Sequence, residues 1–272
     1  MSLRFTLSTA SLFPWPLAAI FRLARDAGFD GVELVATPEV MLRGASFVAG
    51  LSRRFEVAAL SLHAPLFPWP GWRQPGDRYA RSLALAQELD IPVITFHFPR
   101  LGHPLDLQKL KADPLAALGL PKPQGDNPRV CWENPTYPPT SLRPLIRLFR
   151  EGSFPLTFDF CHAGVDGGDA LGLYQDVKER VSQIHLSDAK SRTIPRVFAA
   201  WPMLYSYLRT AFVEHQRPGH GVLPVKTFVA CLRQDGYAGT VALELNPFGM
   251  GVWNPRGVLA KLRHDLDYCR QA

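Results

Sequence analysis

LTFDFCHAG (residues 156–164) is an apolar, β-type run that stops on an acid. Leu156, Thr157 and Phe158 suit a buried strand, Asp159 closes it, His162 follows three residues later, and Gly164 ends the segment. An ionisable pair where a buried strand gives out costs free energy unless something compensates it. Runs of the same kind recur: RFTLST (4–9), AGFDGVELVA (27–36), EVAALSLHAP (56–65), IPVITFHFP (91–99), RVCWENP (129–135), RVSQIHLSD (180–188) and GTVALELNP (239–247). Most are closed by Pro, Gly, Asn or Asp. Helical patterns lie between them, such as residues 17–27, RYARSLALAQELD (78–90) and TSLRPLIRLFREG (140–152). Apolar strands separated by helices imply a parallel sheet covered on both faces.

Eight such units in 272 residues match the size of a (β/α)8 barrel. The runner-up, a doubly wound open sheet, lacks a Gly-x-Gly-x-x-Gly after its first strand. The expected fold is therefore α/β, a single TIM barrel over residues 1–272. An extended loop/helix insertion follows strand seven (191–224), rich in Phe198, Trp201, Tyr205, Tyr207 and Phe212. A second irregular stretch (101–128) joins strands four and five. Long connections of this kind form lids or pack as extra wall helices, and the segment 193–212 is expected to close over the barrel mouth.

Composition narrows the class. With 47% hydrophobic residues the chain can bury a large core, and 30 basic against 24 acidic residues leave a net charge of +6. No Lys/Arg run marks a nucleic-acid arm. Cys131, Cys161, Cys231 and Cys269 form no Cys-x-x-Cys pair and read as reduced thiols. The first residues, MSLRFTLSTASLFPWP, lack a signal-peptide core, and no stretch is long enough to span a membrane. A cytoplasmic protein with no membrane partner is expected, with homo-oligomerisation left open.

In a barrel the C-terminal strand ends share one mouth, where active sites lie. His63, His97, Glu133, Asp159, His185 and Glu244 all fall at or beside strand ends, with His162 and Asp188 just beyond and Glu33 inside the second run. Carboxylates converging with neutral imidazoles repel one another unless a cation sits among them. Mixed oxygen and nitrogen ligands suit Zn, Mn, Co or Fe. Singly, each residue has a plainer reading: Asp188 caps a turn, Glu33 accepts backbone N–H bonds, and His103 and His264 are a loop and a helix histidine. The shared register favours a metal site.

The segments AGFDGVELV, SLHAP, WENP, DFCHAG, IHLSDAK and ALELNP occur in the order found in the xylose isomerase-like TIM-barrel superfamily, which the whole chain resembles. That group includes sugar phosphate isomerases and epimerases, ketose 3-epimerases, dehydratases and the family 2 AP endonucleases. The resemblance implies that Glu133, Asp159, His185 and Glu244 bind one divalent metal (Zn, Mn, Co or Mg), and that Glu133 and Glu244 are the catalytic acid/base pair. It implies a substrate or second-sphere role for His162, and a substrate-binding role for an arginine, Arg192 or Arg217. Trp201 is expected to offer aromatic surface to the substrate. In the endonuclease branch, His63, His97 and Glu133 match a further metal site, and His162 and His215 match part of a third. The aspartate of that third site falls on Val213, with Glu214 beside it. The expected activity is that of a metal-dependent sugar isomerase or epimerase, or a related lyase, with a small-molecule substrate. The alternatives are an AP endonuclease acting on nucleic acid, and a barrel that only binds a ligand.

Overall fold

The computed structural model describes residues 2–65, 75–97, 107–123, 125, 127–134, 143–191, 194–195, 197–198 and 201–272. Eight parallel strands close in sequence order into a barrel. They are β1 (Arg4–Ser8), β2 (Gly31–Val35), β3 (Ala59–His63), β4 (Val93–His97), β5 (Arg129–Glu133), β6 (Leu156–Asp159), β7 (Val181–Leu186) and β8 (Thr240–Leu243). β8 pairs with β1, so no edge is left open. Among the described residues no helix is long and apolar enough to cross a membrane. All four cysteines are free.

The strands are buried on both sides, yet they are not apolar on both sides. Val130, Trp132, Phe158, Ile184 and Val241 alternate with Cys131, Glu133, Thr157, His185 and Ala242. The first set packs outward on the helices: Phe158 meets Tyr174 and Phe228 at ring-centroid distances of 5.6 and 5.8 Å, and Phe96 meets Tyr79 at 4.2 Å. The second set faces the barrel axis, where several polar side chains pair with one another. Thr95 Oγ1 lies 2.7 Å from Thr157 Oγ1, and Gln183 Nε2 donates to Ser61 Oγ at 3.0 Å. What reads as a continuous apolar run is thus a period-two pattern whose inward positions are small or polar. The sheet is covered on both faces, as expected, but the strands that read as continuously apolar carry polar side chains on the inner one.

Helix termini follow local chemistry. Leu17–Ala27 ends at Gly28, whose φ of 89° puts it in the left-handed region that glycine enters without strain. The insertion after β7 contains the helix Pro202–Phe212, followed by Val225–Gln234, which packs on the C-terminal helix Val258–Arg270. Pro202–Phe212 packs against the short helix Pro247–Met250, beyond β8. Arg209 ties it to Asp166, beyond β6, at 2.7 Å, and to Glu214. Among its described contacts it therefore bridges loops on the C-terminal side of the barrel.

Candidate metal centre

Strand register brings the strand-end residues together. His97 is the Cα partner of Glu133, and Asp159 that of His185. His63, His97, Glu133 and Asp159 are the last residues of their strands. His185 is the last but one of β7, and Glu244 follows β8 directly. Side chains on alternate positions of neighbouring strands then converge at one level of the barrel.

The ligand atoms of Glu133, Asp159, His185 and Glu244 lie within 4.8 Å of one another. His185 Nδ1 is 2.6 Å from Glu133 Oε1 and 3.0 Å from Glu244 Oε2. On the other side of Glu133, Oε2 lies 2.6 Å from His97 Nε2 and 3.5 Å from His63 Nε2. A second group, His63, Glu133 and His185, and a third, Asp159, His162 and His215, meet the same 4.8 Å criterion. Val213 is buried and apolar, as its side chain requires, and Asp159 stands with the two histidines instead.

Second hydrogen bonds hold these side chains in place. His63 Nδ1 lies 2.6 Å from the Ala64 carbonyl, and His162 Nδ1 lies 3.1 Å from the Asn134 carbonyl. Asp159 caps the helix Phe160–Gly164 by accepting the His162 N–H at 2.6 Å through Oδ1. Its backbone is clasped by Asn134, whose side chain accepts the Asp159 N–H at 2.7 Å and donates to its carbonyl at 2.9 Å. Glu33 accepts from side chains, not from the backbone: Oε1 is 2.8 Å from His185 Nε2 and 2.5 Å from Gln183 Nε2. Gln183 and Asn134 escape sequence reading because an amide carries no charge signal. The one hint is that Gln183 sits two residues before His185, on the same strand face.

Electrostatics match the geometry. Burial works against charge on His185, but Glu33, Glu133 and Glu244 outweigh it and raise its pKa well above the ordinary value. Burial likewise opposes charge on His162, and Asp159 and Glu133 lift it to about 9. Burial favours the protonated forms of Glu133 and Glu244, yet the neighbouring histidines hold both carboxyls below the usual range. Asp159 moves the other way, raised by burial. Asp159 Oδ2 is buried and makes no hydrogen bond, while Glu133 Oε2, Glu244 Oε2 and His63 Nε2 are buried and face only one another and the other imidazoles of the cluster. Buried carboxylate oxygens and ring nitrogens that face chiefly one another in one cluster fit a divalent cation of the zinc or manganese type.

The other expected residues are placed differently. Arg217 forms a bidentate pair with the buried Asp265 at 2.8–3.1 Å. His264 joins that pair, with Nδ1 3.3 Å from Asp265. Asp188 accepts four backbone N–H bonds, from Ala189, Gly219, Gly221 and Leu223, and is the turn anchor of its plainer reading. Trp201 directly precedes the helix Pro202–Phe212, makes no capping bond with its side chain, and is 58% exposed. Arg192 and His103 lie outside the described residues.

Comparisons with known proteins agree on the architecture. An uncharacterised protein of Mycobacterium leprae is 26% identical over 269 residues, covering 88% of each chain. The 3-keto-D-glucoside 4-epimerase of E. coli superposes with a TM-score of 0.65 at 16% identity, covering 100% of both chains. A family 2 AP endonuclease of Brucella melitensis gives 0.61 at 18%, covering 98% of this chain and 99% of the other. The IOLI protein, whose structure binds a zinc atom, gives 0.68 at 12%, covering 99% of each. At these identities the structural likeness is one of fold. The xylose isomerase-like TIM barrel family model matches residues 21–271, and the chain belongs to that family.

Proposed function

We propose that the protein is a divalent-metal-dependent isomerase or epimerase of a small sugar, sugar phosphate or polyol-derived carbonyl compound. The observation that carries this reading is the convergence of Glu133, Asp159, His185 and Glu244, with ligand atoms within 4.8 Å. Glu133, Asp159, His185 and Glu244 would hold a divalent cation, which when bound would polarise a substrate carbonyl and make the adjoining C–H more acidic. The chain's own task is proton transfer. Glu133 and Glu244 are kept ionised by their histidine neighbours, the state a proton acceptor needs. Glu244 is the more open of the two, 13% exposed against 2%, and is assigned the removal of the proton. Glu133 gives a proton of its own, taken up from solvent or a neighbouring imidazolium, to the resulting enediolate, while Glu244 keeps the proton it removed and loses it to solvent afterwards. His162, fixed by Asn134, is assigned to hold a substrate oxygen, and Arg192 and Trp201 to grip the distal part of the substrate.

The test is solvent exchange. The metal-loaded protein is incubated in D2O with a panel of ketohexoses, pentulose phosphates and inososes, and proton NMR follows deuterium entering the carbon beside the carbonyl. Glu244→Gln should abolish the exchange while keeping the fold, with the loss in kcat. Near-normal exchange in this variant removes Glu244 from the chemistry.

Hydrolysis of abasic DNA is the second reading. The separate groupings His63–Glu133–His185 and Asp159–His162–His215 favour it, because they offer ligands for more than one cation. Three metals per chain, incision of an abasic duplex and salt-dependent DNA binding would select it. One metal per chain and exchange on a ketose would reject it.

A further inference from the structure

The cluster histidines differ in what holds their second nitrogen. His63 and His162 each face a neutral backbone carbonyl, of Ala64 and Asn134. His185 instead faces a carboxylate, Glu33 Oε1, 2.8 Å from Nε2. Glu33 is fully buried on β2, across the barrel from β7. Gln183 supports it from one inward step below His185, donating from Nε2 to Glu33 Oε1 at 2.5 Å and to Ser61 Oγ at 3.0 Å. The carboxylate is thereby aimed at one imidazole nitrogen and is removed from the other three carboxylates by the width of the ring.

We infer that Glu33 is the positioning residue of the metal centre: it holds the His185 proton on Nε2 and leaves the Nδ1 lone pair for the cation. The argument is geometric. Nδ1 points at Glu133 and Glu244, whose oxygens lie 2.6 and 3.0 Å away, so the ligand set closes only through that nitrogen. Imidazole carries one proton when it ligates, and an acceptor at Nε2 decides where that proton sits. A carboxylate acceptor also makes the ring a stronger donor to the cation than a carbonyl would, and loss of such partners costs 10- to 100-fold in metal affinity. His185 is the histidine shared by two of the groupings, so the strongest support falls where two sites meet. This inference deepens the metal-dependent reading and rests on it.

The experiment uses the full chain and Zn2+ or Mn2+ as the probe. Binding is measured by competition with a chromophoric chelator, and long-range 15N–1H NMR reads the tautomer of His185 in the loaded protein. Glu33→Gln keeps the shape and an acceptor oxygen but loses the charge. It should weaken metal binding by about 10- to 100-fold. Ser61→Ala, which removes the other partner of Gln183 at the same depth, should change affinity less than about threefold. Glu33→Asp should recover part of the loss. In the wild type the loaded His185 should carry its proton on Nε2. A proton on Nδ1 overturns the inference even if Glu33→Gln does not fold, because Glu33 would then be a ligand and not a support. Wild-type metal binding with a folded Glu33→Gln of equal affinity overturns it while leaving the proposed function standing. A wild-type chain that binds neither metal overturns both.

Discussion

At the scale of the residue, one side chain can serve packing and chemistry with different atoms. Asp159 Oδ1 caps a helix while Oδ2 is left bare toward the cluster. His185 gives Nε2 to Glu33 and Nδ1 to the other carboxylates. These charges predict a proton count. In the metal-free protein the buried carboxylates around His185 raise its pKa well above the ordinary value and favour its protonated form. A ligating nitrogen must shed its proton, so metal loading at pH 7 should release a proton into solution. Affinity should rise by about tenfold per pH unit for that one displaced proton, from pH 6 upward, until His185 is neutral without the metal. A weakly buffered indicator titration reads the release. A flat affinity between pH 6 and 8 with no proton release would contradict these assignments.

Among the elements, the loop after β7 is held by one buried carboxylate. Asp188 accepts Ala189 and Leu223 N–H bonds on Oδ1, and Gly219 and Gly221 N–H bonds on Oδ2, at 2.8–3.1 Å. The backbone at 221 comes so close that a Cβ there would lie 2.3 Å from Asp188 Oδ1, so glycine is required. The antiparallel bridge between Asp188 and Gln216 sets His215 beside His162, with ring centroids 5.1 Å apart. Asp188→Ala leaves four N–H groups without their acceptor. It should cost about 3 kcal/mol in urea unfolding, since bonds to a buried charge are worth about 1.5–3 kcal/mol and orphaned donors add a penalty. A loss under about 1 kcal/mol would mean that the loop is held elsewhere. The neighbouring helix Pro202–Phe212 is pinned through Arg209, whereas Trp201 at its start is exposed. Trp201→Ala should therefore raise KM or alter substrate preference with little change in Tm. Early melting with unchanged kinetics would assign Trp201 to packing.

For the whole molecule, the barrel concentrates Glu33, Glu133, Asp159 and Glu244 in its upper interior, all but Glu244 at most 2% exposed. Like charges at this depth oppose folding unless histidine protons or a cation offset them. Metal binding to the folded chain alone adds RT ln(1 + [L]/Kd), about 4 kcal/mol at a thousandfold excess over Kd. For a chain of 272 residues this corresponds to a rise in Tm of about 8–16 °C. Chelation should reverse it, and calorimetry with and without EDTA checks the shift. An unchanged Tm in a protein that retains its metal count would indicate a peripheral site.

The amino-acid sequence by itself determined the eight strands, the barrel and the strand-end carboxylates and histidines. These are legible because each strand carries a local β-type pattern with its own punctuation, and because a closed parallel barrel sends every strand end to one mouth. It also carried the exception in the third ligand group, Val213 in place of an acid. Only the tertiary structure decided what each polar atom faces. The inward-outward alternation of 157–159 and 183–185 is hidden in sequence, because Thr, Cys and Ala on the axis look as apolar as the residues packed on the helices. Glu33 and Gln183 are 150 positions apart and meet across the barrel interior. Arg217 finds its partner 48 positions on, in Asp265 of the C-terminal helix. Such pairings depend on closure of the sheet and on side-chain direction, which are properties of the folded barrel and not of any short stretch of chain.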